Sequence, residues 1–247
     1  MIISMTNTVD ANHSNPLTKS PVASRPRLGE QDPAVIVLAS GLSQRLGQPK
    51  QLLSKHGEPL ICYMINLALA TSPHAVVVVI AQHQPLIADA VNKLARQNTL
   101  IRPVMNPIPK MGMAHSLSLG IEALTNLQNP LINRVLIMGV DQVLLDSNHL
   151  TELLTAKSTV VASSYQWLDK STSHYRDKDN IIGLPIVINV ERLKQWQSAL
   201  TGDKGLRHLI RALPDNQLST VINPKLSHDI DTPAQLFYAR QQGWLDA

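Results

Sequence analysis

From Pro33 onward, short apolar runs alternate with stretches in which apolar residues return every three or four positions. A continuous apolar run of strand length reads as a strand buried on both faces, and the longer period reads as one face of a helix. The strand-like runs are AVIVLAS from Ala34, AVVVVIA from Ala75, LIRPVM from Leu100, RVLIMGV from Arg134, TVVAS from Thr159, GLPIVIN from Gly183 and LSTVI from Leu218. Between them lie helix-like stretches: Pro59 to Ala70, QPLIADAVNKLARQ from Gln84, MAHSLSLGIEALTNL from Met113 and DSNHLTELLTA from Asp146. ERLKQWQSAL, GLRHLIRAL and PAQLFYARQQ follow as three helices around LSTVI. Pro59 stands at a helix opening, where a missing N–H costs little. The polar segment Trp167 to Asn180 carries neither period and reads as a surface loop or lid. Alternating strands and helices imply right-handed crossovers and a mostly parallel sheet covered on both faces. A three-layer α/β/α, Rossmann-like fold is therefore expected, with ligands at the carboxyl ends of the strands.

The first 32 residues are rich in Ser, Thr, Asn and Pro and have no periodicity. Residues 1–32 read as a flexible N-terminal tail without the apolar core of a secretory signal, and residues 33–247 as a single domain. Aromatic residues are only 3% of the chain, so the core must be built from Leu, Ile, Val, Ala and Met. No apolar run approaches membrane-spanning length. The net charge of +4 and pI near 9.3 would suit nucleic acid. The cations, however, are scattered and not interleaved with aromatics, so an anionic small substrate is the better expectation. One cysteine, Cys62, excludes an intrachain disulfide and fits a reducing cytoplasm; it sits in an apolar helix-like run and reads as core.

Candidate chemistry begins after the first strand, in VLASGLSQRLGQPKQLL from Val37 to Leu53. Its skeleton is Gly41, Ser43, Arg45, Gly47 and Lys50, which is neither a Walker A loop nor GxGxxG. The ingredients are still those of a phosphate cradle. Gly41 lets backbone N–H groups approach, the Arg45 fork can grip phosphate oxygens, and Lys50 can neutralise them. Asp141 follows RVLIMGV at a strand tip, where a carboxylate can hold Mg²⁺. Asp146, just before a helix, better fits a cap. HDIDTPAQL places Asp229 and Asp231 on the same side of an extended segment. Either Asp231 is a second metal ligand or it, or Thr232, caps the last helix.

These residues carry a resemblance. LASGLSQRLGQPKQLL resembles the signature LAAGxSxRxGxxKxLL of the MobA-like nucleotidyltransferases at Leu38, Ala39, Gly41, Ser43, Arg45, Gly47, Lys50, Leu52 and Leu53, with Ser40 where Ala is usual. Asn106, Gly112, Met113 and Ser116 resemble a segment that covers the nucleotide in the relatives, and His115 departs from the usual Ser, Ala or Gln. Asp141-Gln142 matches the family's D-Q-P, but Val143 replaces the Pro. Gly183 and Pro185 resemble a strand bordering the acceptor. Gly202, Asp203, Gly205 and Arg207 resemble a GDxGxRxLL element of the branch that makes molybdenum cofactor cytidine dinucleotide.

The resemblance implies a nucleotide-diphospho-sugar transferase fold and transfer of CMP from CTP to the phosphate of a pterin-type acceptor. Arg45 and Lys50 would hold the triphosphate along a wall of Leu38, Ala39, Ser40, Gly41 and Ser43. Asp141 and Asp231 would hold Mg²⁺, and Gly183, Pro185 and Asp203 would lie on the acceptor side. A molybdoenzyme apoprotein is an implied partner; nucleic acid and membrane are not. Three alternatives stand beside it: GTP as donor, a sugar or alcohol phosphate as acceptor, and a nucleotide-binding cofactor chaperone that does not catalyse.

Overall fold

The computed structural model describes Met1 and residues 33–168, 175–202 and 205–247; the expected tail of residues 2–32 and Asp203 lie outside the described residues. The elements run β1 (Ala34–Ala39), β2 (Ser54–Lys55), β3 (Glu58–Pro59), α1 (Leu60–Leu69), β4 (Ala75–Ala81), α2 (Pro85–Gln97), β5 (Ile101–Asn106) and α3 (Met113–Asn126). They continue as β6 (Arg134–Met138), α4 (Ser147–Thr155), β7 (Val160–Leu168), β8 (Tyr175–Asn189), α5 (Val190–Gln197), α6 (Arg207–Arg211), β9 (Leu218–Ile222) and α7 (Pro233–Gln241). Helix starts are fixed locally. Pro85 occupies the first turn of α2, Asp146 caps α4 by accepting from the His149 N–H at 3.0 Å, and Thr232 caps α7.

Among the described residues, seven strands form one sheet in the order β5-β4-β1-β6-β8-β7-β9. All are parallel to β1 except β8, which runs antiparallel between β6 and β7. The chain winds outward from β1 to β4 and β5, then returns to the other side of β1 for β6. The crevice beyond the ends of β1 and β6 is therefore the switch point where such sheets bind ligands. The alternation of β1 sorts the layers. Val35, Val37 and Ala39 face a core shared with residues of α1, α2, α4 and α7. Ala34 and Ile36 face one shared with residues of α3, α5 and α6. The expected three-layer α/β/α architecture with a mostly parallel sheet is thus observed. Cys62 is buried in the first core, and burial pushes its thiol pKa up, in keeping with a packing role. Among the described residues no helix is long and apolar enough to cross a membrane.

One expectation is corrected. The polar segment Trp167 to Asn180 is not a loop: its described parts belong to β7 and β8, with Gln166 opposite Asn180 and Leu168 opposite Tyr175. The two strands satisfy each other's backbone groups, so the ribbon needs no apolar period to persist. Smaller differences concern lengths. β6 stops at Met138 rather than Val140, α6 is a single short helix of five residues, and β2–β3 is a small hairpin that no periodicity announced.

The contact between α3 and β1 is unusually close. A Cβ added at Gly120 would lie 2.8 Å from Ile36 Cγ2 and 3.4 Å from Val79 Cγ2, and both neighbours are buried. A side chain there forces the helix off the sheet beneath the site. Gly120→Val should therefore lower the unfolding free energy by about 2–3 kcal/mol. Gly120→Ala should cost less, because helix propensity returns about 1 kcal/mol. Urea titration of the variants measures both.

Candidate active site

The loop after β1 is braced rather than slack. Ser43 is held in the left-handed region at φ 51°, and its carbonyl accepts from the N–H groups of Leu46 and Gly47. Its hydroxyl accepts from the Lys50 N–H at 3.1 Å. Leu46 and Leu53 sink into the core on either side. The buried Gln51 donates through Nε2 to the carbonyls of Ala39 at 2.7 Å and Gly41 at 2.8 Å. This one amide ties the far side of the loop to the strand end it left. A short 3₁₀ turn, Lys50–Leu52, then aims Lys50 back across the loop.

Asp141 comes from the other half of the sheet. Two residues follow β6 before it, and a Cβ at Gly139 would stand 2.9 Å from Asp141 Oδ1, so a side chain there would displace this carboxylate. The Asp141 carbonyl accepts from the Ile230 N–H at 3.1 Å, and Gln142 pairs with Asp229 in an isolated antiparallel bridge. These contacts hold the Asp229–Asp231 segment against the tip of β6. Gln142 Nε2 also donates to the Leu184 carbonyl at 2.8 Å, which ties the same tip to β8.

Lys50 Nζ sits between the two carboxylates, 2.6 Å from Asp231 Oδ1 and 3.0 Å from Asp141 Oδ2. The Arg45 guanidinium takes the other oxygen of Asp231 at 2.6 Å. Burial works to lower the Lys50 pKa, but the charge of Asp141 and then the hydrogen bond and charge of Asp231 outweigh it and raise it. Burial likewise works to raise Asp231, yet the hydrogen bond and charge of Lys50, followed by Arg45, hold it below the usual carboxylate range. Asp229 behaves oppositely. Burial, then the charges of Asp141 and Asp231, push its pKa up, and Gln235 donates to it at 3.2 Å. Thr232, not Asp231, caps α7, which leaves the Asp231 carboxylate to the cations.

Two cavities open on this point. The first, about 690 Å³, is lined by the loop from Ser40 to Arg45, by Lys50, Lys110, Gly112, Met113 and Ser116, and by Asp141 and Asp231. A Cβ at Gly41 would meet nothing within 4 Å, so the cleft floor is open there. The second, about 700 Å³, lies between β8 and α6 and is lined by Tyr165, Ile182, Gly183, Leu206, Arg207, Arg211 and Asp229, among others. Leu38, Met113, Asp141 and Leu184 border both. Not every expected residue faces a cavity. Ala39 and Asn106 are buried beneath the first. Asn106 donates to Ser116 Oγ at 3.1 Å and to Ser40 Oγ at 3.4 Å, and the two hydroxyls bond each other. It orders the floor rather than meeting a ligand. Pro185 is buried in β8, follows a cis peptide, and its carbonyl accepts from Ser163.

Residues that sequence reasoning passed over include Gln51, Tyr165, Arg211 and Gln235. Tyr165 stands between Gly183 and the acids, and burial followed by the charges of Asp229 and Asp141 raises its phenol pKa. For Gln51 the sequence offered no signal beyond a glutamine between Lys50 and the apolar Leu52-Leu53. The others become visible only once β7, α6 and α7 are brought together.

A family model described as MobA-like NTP transferase domain matches residues 35–218. No curated protein sequence matches the chain. Among solved structures, Rv0371c from Mycobacterium tuberculosis H37Rv superimposes with a TM-score of 0.63 at 19% identity, covering 85% of this chain and 99% of that one. Its manganese complex gives a TM-score of 0.60 at 17% identity, covering 84% and 97%. The 4-diphosphocytidyl-2C-methyl-D-erythritol synthase of Anaerococcus prevotii gives 0.66 at 15% identity, covering 89% and 99%. A Methanothermobacter nucleotidyl transferase gives 0.64 at 20% identity, covering 85% and 96%. At these identities the likeness is one of fold.

Removing the Lys50 ammonium leaves Asp141 without its cation and Asp231 with the exposed Arg45 alone. Lys50→Met should cost about 2 kcal/mol at neutral pH, less than a fully buried pair because the carboxylates stay partly solvated. Asp231 is depressed in the folded state, so its pairing stabilises above the unfolded carboxylate value and is lost as pH falls. The deficit of the variant should therefore hold down to about pH 4 and shrink as pH falls below it. Urea titrations across that range read the difference.

Proposed function

The chain belongs to the MobA-like NTP transferase domain family, and from that premise we propose that it moves CMP from CTP to the phosphate of a molybdopterin-type cofactor, releasing pyrophosphate. The observation that carries this reading is the convergence of Lys50, Asp141 and Asp231 on one point where two cavities of similar size meet. A transferase of this kind needs two substrates side by side, with the charge-bearing groups at their junction. The unit is residues 33–247 as one domain, because the two cavities together draw residues from Leu38 to Asp231. The single buried thiol fits a reducing, cytoplasmic setting.

The chemistry follows from charge. An oxygen of the acceptor phosphate attacks the α-phosphorus of the nucleotide, the bond to the β-phosphate oxygen breaks, and the electron pair leaves with pyrophosphate. The nucleophile is already an anion, so no general base is required and the protein's work is positioning and neutralisation. Arg45 and Lys50 would exchange their carboxylate partners for triphosphate oxygens. Gly41 leaves room for that approach, and the Ser40–Asn106–Ser116 network holds the floor under the nucleoside. Gly183 borders the acceptor cavity, and the buried Pro185 shapes the strand behind it. Asp203 remains an acceptor-side proposal from resemblance alone.

The acids fit a divalent ion. The Lys50 ammonium is a stand-in cation that Asp141 and Asp231 already reach together, and hard carboxylate oxygens suit Mg²⁺. Among the described residues no group of three or more His, Cys, Asp or Glu side chains forms a metal cage. That matches Mg²⁺, which is commonly held by one or two carboxylates plus substrate phosphates. When bound, the ion would neutralise charge on the transferring phosphoryl group. The manganese complex of Rv0371c supplies a precedent within the fold.

A second reading keeps the reaction and changes the acceptor to an alcohol phosphate, favoured by the fold likeness to a diphosphocytidyl-erythritol synthase. Asp229 and Asp231, where guanylyl-transferring relatives carry Asn, support a cytidine donor. Pyrophosphate release measured with each NTP, Mg²⁺ and molybdopterin should be greatest with CTP. Asp141→Asn should lower kcat by about 100-fold or more. A preference for GTP would overturn the donor assignment, turnover unchanged by Asp141→Asn would overturn the role of that acid, and no release with any NTP would favour the binding-only alternative.

A further inference from the structure

Helix α6 turns a charged edge into the second cavity. Leu206 and Ile210 anchor it in the core, while Arg207, His208 and Arg211 remain exposed and line the cavity wall. Arg207 and Arg211 are one turn apart and so share a helix face. Neither has an ion-pair or hydrogen-bond partner among the described residues. The contrast with the first cavity is sharp, since Arg45 and Lys50 are both paired there. Opposite α6 the wall is apolar, built from Leu117, Ile137, Ile182 and Leu184, with the Tyr165 hydroxyl near Gly183. Arg207 is near enough to Tyr165 for its charge to oppose the upward shift of that phenol.

We propose that Arg207 and Arg211 are the anion seat of the acceptor cavity and select a small phosphate monoester whose apolar or planar body lies against the β8 wall. Two guanidinium forks one turn apart, unpaired among the described residues, suit the non-attacking oxygens of a single phosphate. The acids Asp141 and Asp229 border the same cavity, so an anion enters only where the arginines offset them. The selection of phosphorylated over neutral acceptors thus falls to α6 and not to the loop after β1. This rests on the transferase reading above, and the experiment separates the two.

The donor cavity is first filled with a non-hydrolysable CTP analogue and Mg²⁺, and phenyl phosphate is then titrated by calorimetry. Wild-type protein should bind phenyl phosphate and ignore phenol. Arg207→Ala with Arg211→Ala should weaken phenyl phosphate by about tenfold or more, the loss expected for charge-assisted hydrogen bonds. The affinity for the CTP analogue should stay unchanged, which also shows that the variant is folded. Lysine at both positions should restore part of the binding. Equal affinity for phenyl phosphate in wild type and double alanine variant, or none in wild type, overturns the seat. Failure of wild type to bind the analogue overturns the transferase reading instead, and the phenyl phosphate comparison without nucleotide still decides the seat.

Discussion

One ammonium group holds the site together. Lys50 belongs to the loop after β1, Asp141 to the tip of β6, and Asp231 to the segment before α7, and Lys50 Nζ touches both acids. Without it, two partly buried carboxylates would converge with only the exposed Arg45 on one of them, an arrangement whose cost exceeds that of most single contacts. Arg45 closes the remaining oxygen of Asp231 from the solvent side. The same four groups are the ones the proposed reaction needs. In the absence of ligand their charges cancel within the protein. With a triphosphate and a divalent ion, the cations and the acids would each find a new partner of opposite sign, so the exchange conserves the number of ion pairs. Binding of nucleotide and of metal would be coupled on this view, since Lys50 would have to leave the two acids that would hold the ion.

That exchange requires the backbone to stay still while the side chains move. The bracing is done by neutral groups. Gln51 fixes both edges of the first loop, Gln142 ties the β6 tip to β8, and Gln235 accepts from the Asp231 N–H while donating to Asp229. Amides bear this role well because they satisfy buried carbonyls without adding charge to a crowded electrostatic centre. The raised pKa of Asp229 fits the same arrangement. It is the third acid at the junction, and burial, followed by the charges of Asp141 and Asp231, disfavours its ionised form.

How much of this was legible before the structure depends on range. β1 and β4 were plain because each is apolar throughout and buried on both faces. The separation of Asp141 from Asp146 was also readable, since only the latter precedes a helical period, and it does cap α4. The loop after β1 could be read as a phosphate cradle from its own residues. What the sequence concealed was pairing between distant segments. The outer part of the β7–β8 ribbon lacks apolar periodicity, and there the two strands are held by mutual hydrogen bonds. Gln51, Tyr165 and Arg211 carry no motif, and each acquires meaning only from what the fold sets beside it. Ala39 and Asn106 show the reverse: they match a motif, yet lie under the cleft and act through Gln51, Ser40 and Ser116.

The two cavities differ in how their walls are made, and this explains why a donor was easier to infer than an acceptor. Much of the first is one continuous stretch, Ser40 to Arg45 with Lys50 close behind, so its chemistry survives as a linear pattern. The second is assembled from β7, β8, α6 and the segment before α7, with one or a few residues from each. Short motifs mark single members such as Gly183 and Arg207, but not the surface they form together. On the proposed reading, a change at α6 would alter the acceptor while leaving the loop after β1 intact. The boundary residues Leu38, Met113, Asp141 and Leu184 line both cavities, so on the proposed reading they would serve both substrates at once. Met113 illustrates the constraint. Its sulfur packs where a Cβ on Gly205 would intrude at 2.9 Å, so the dividing wall and the approach to α6 are built as one piece.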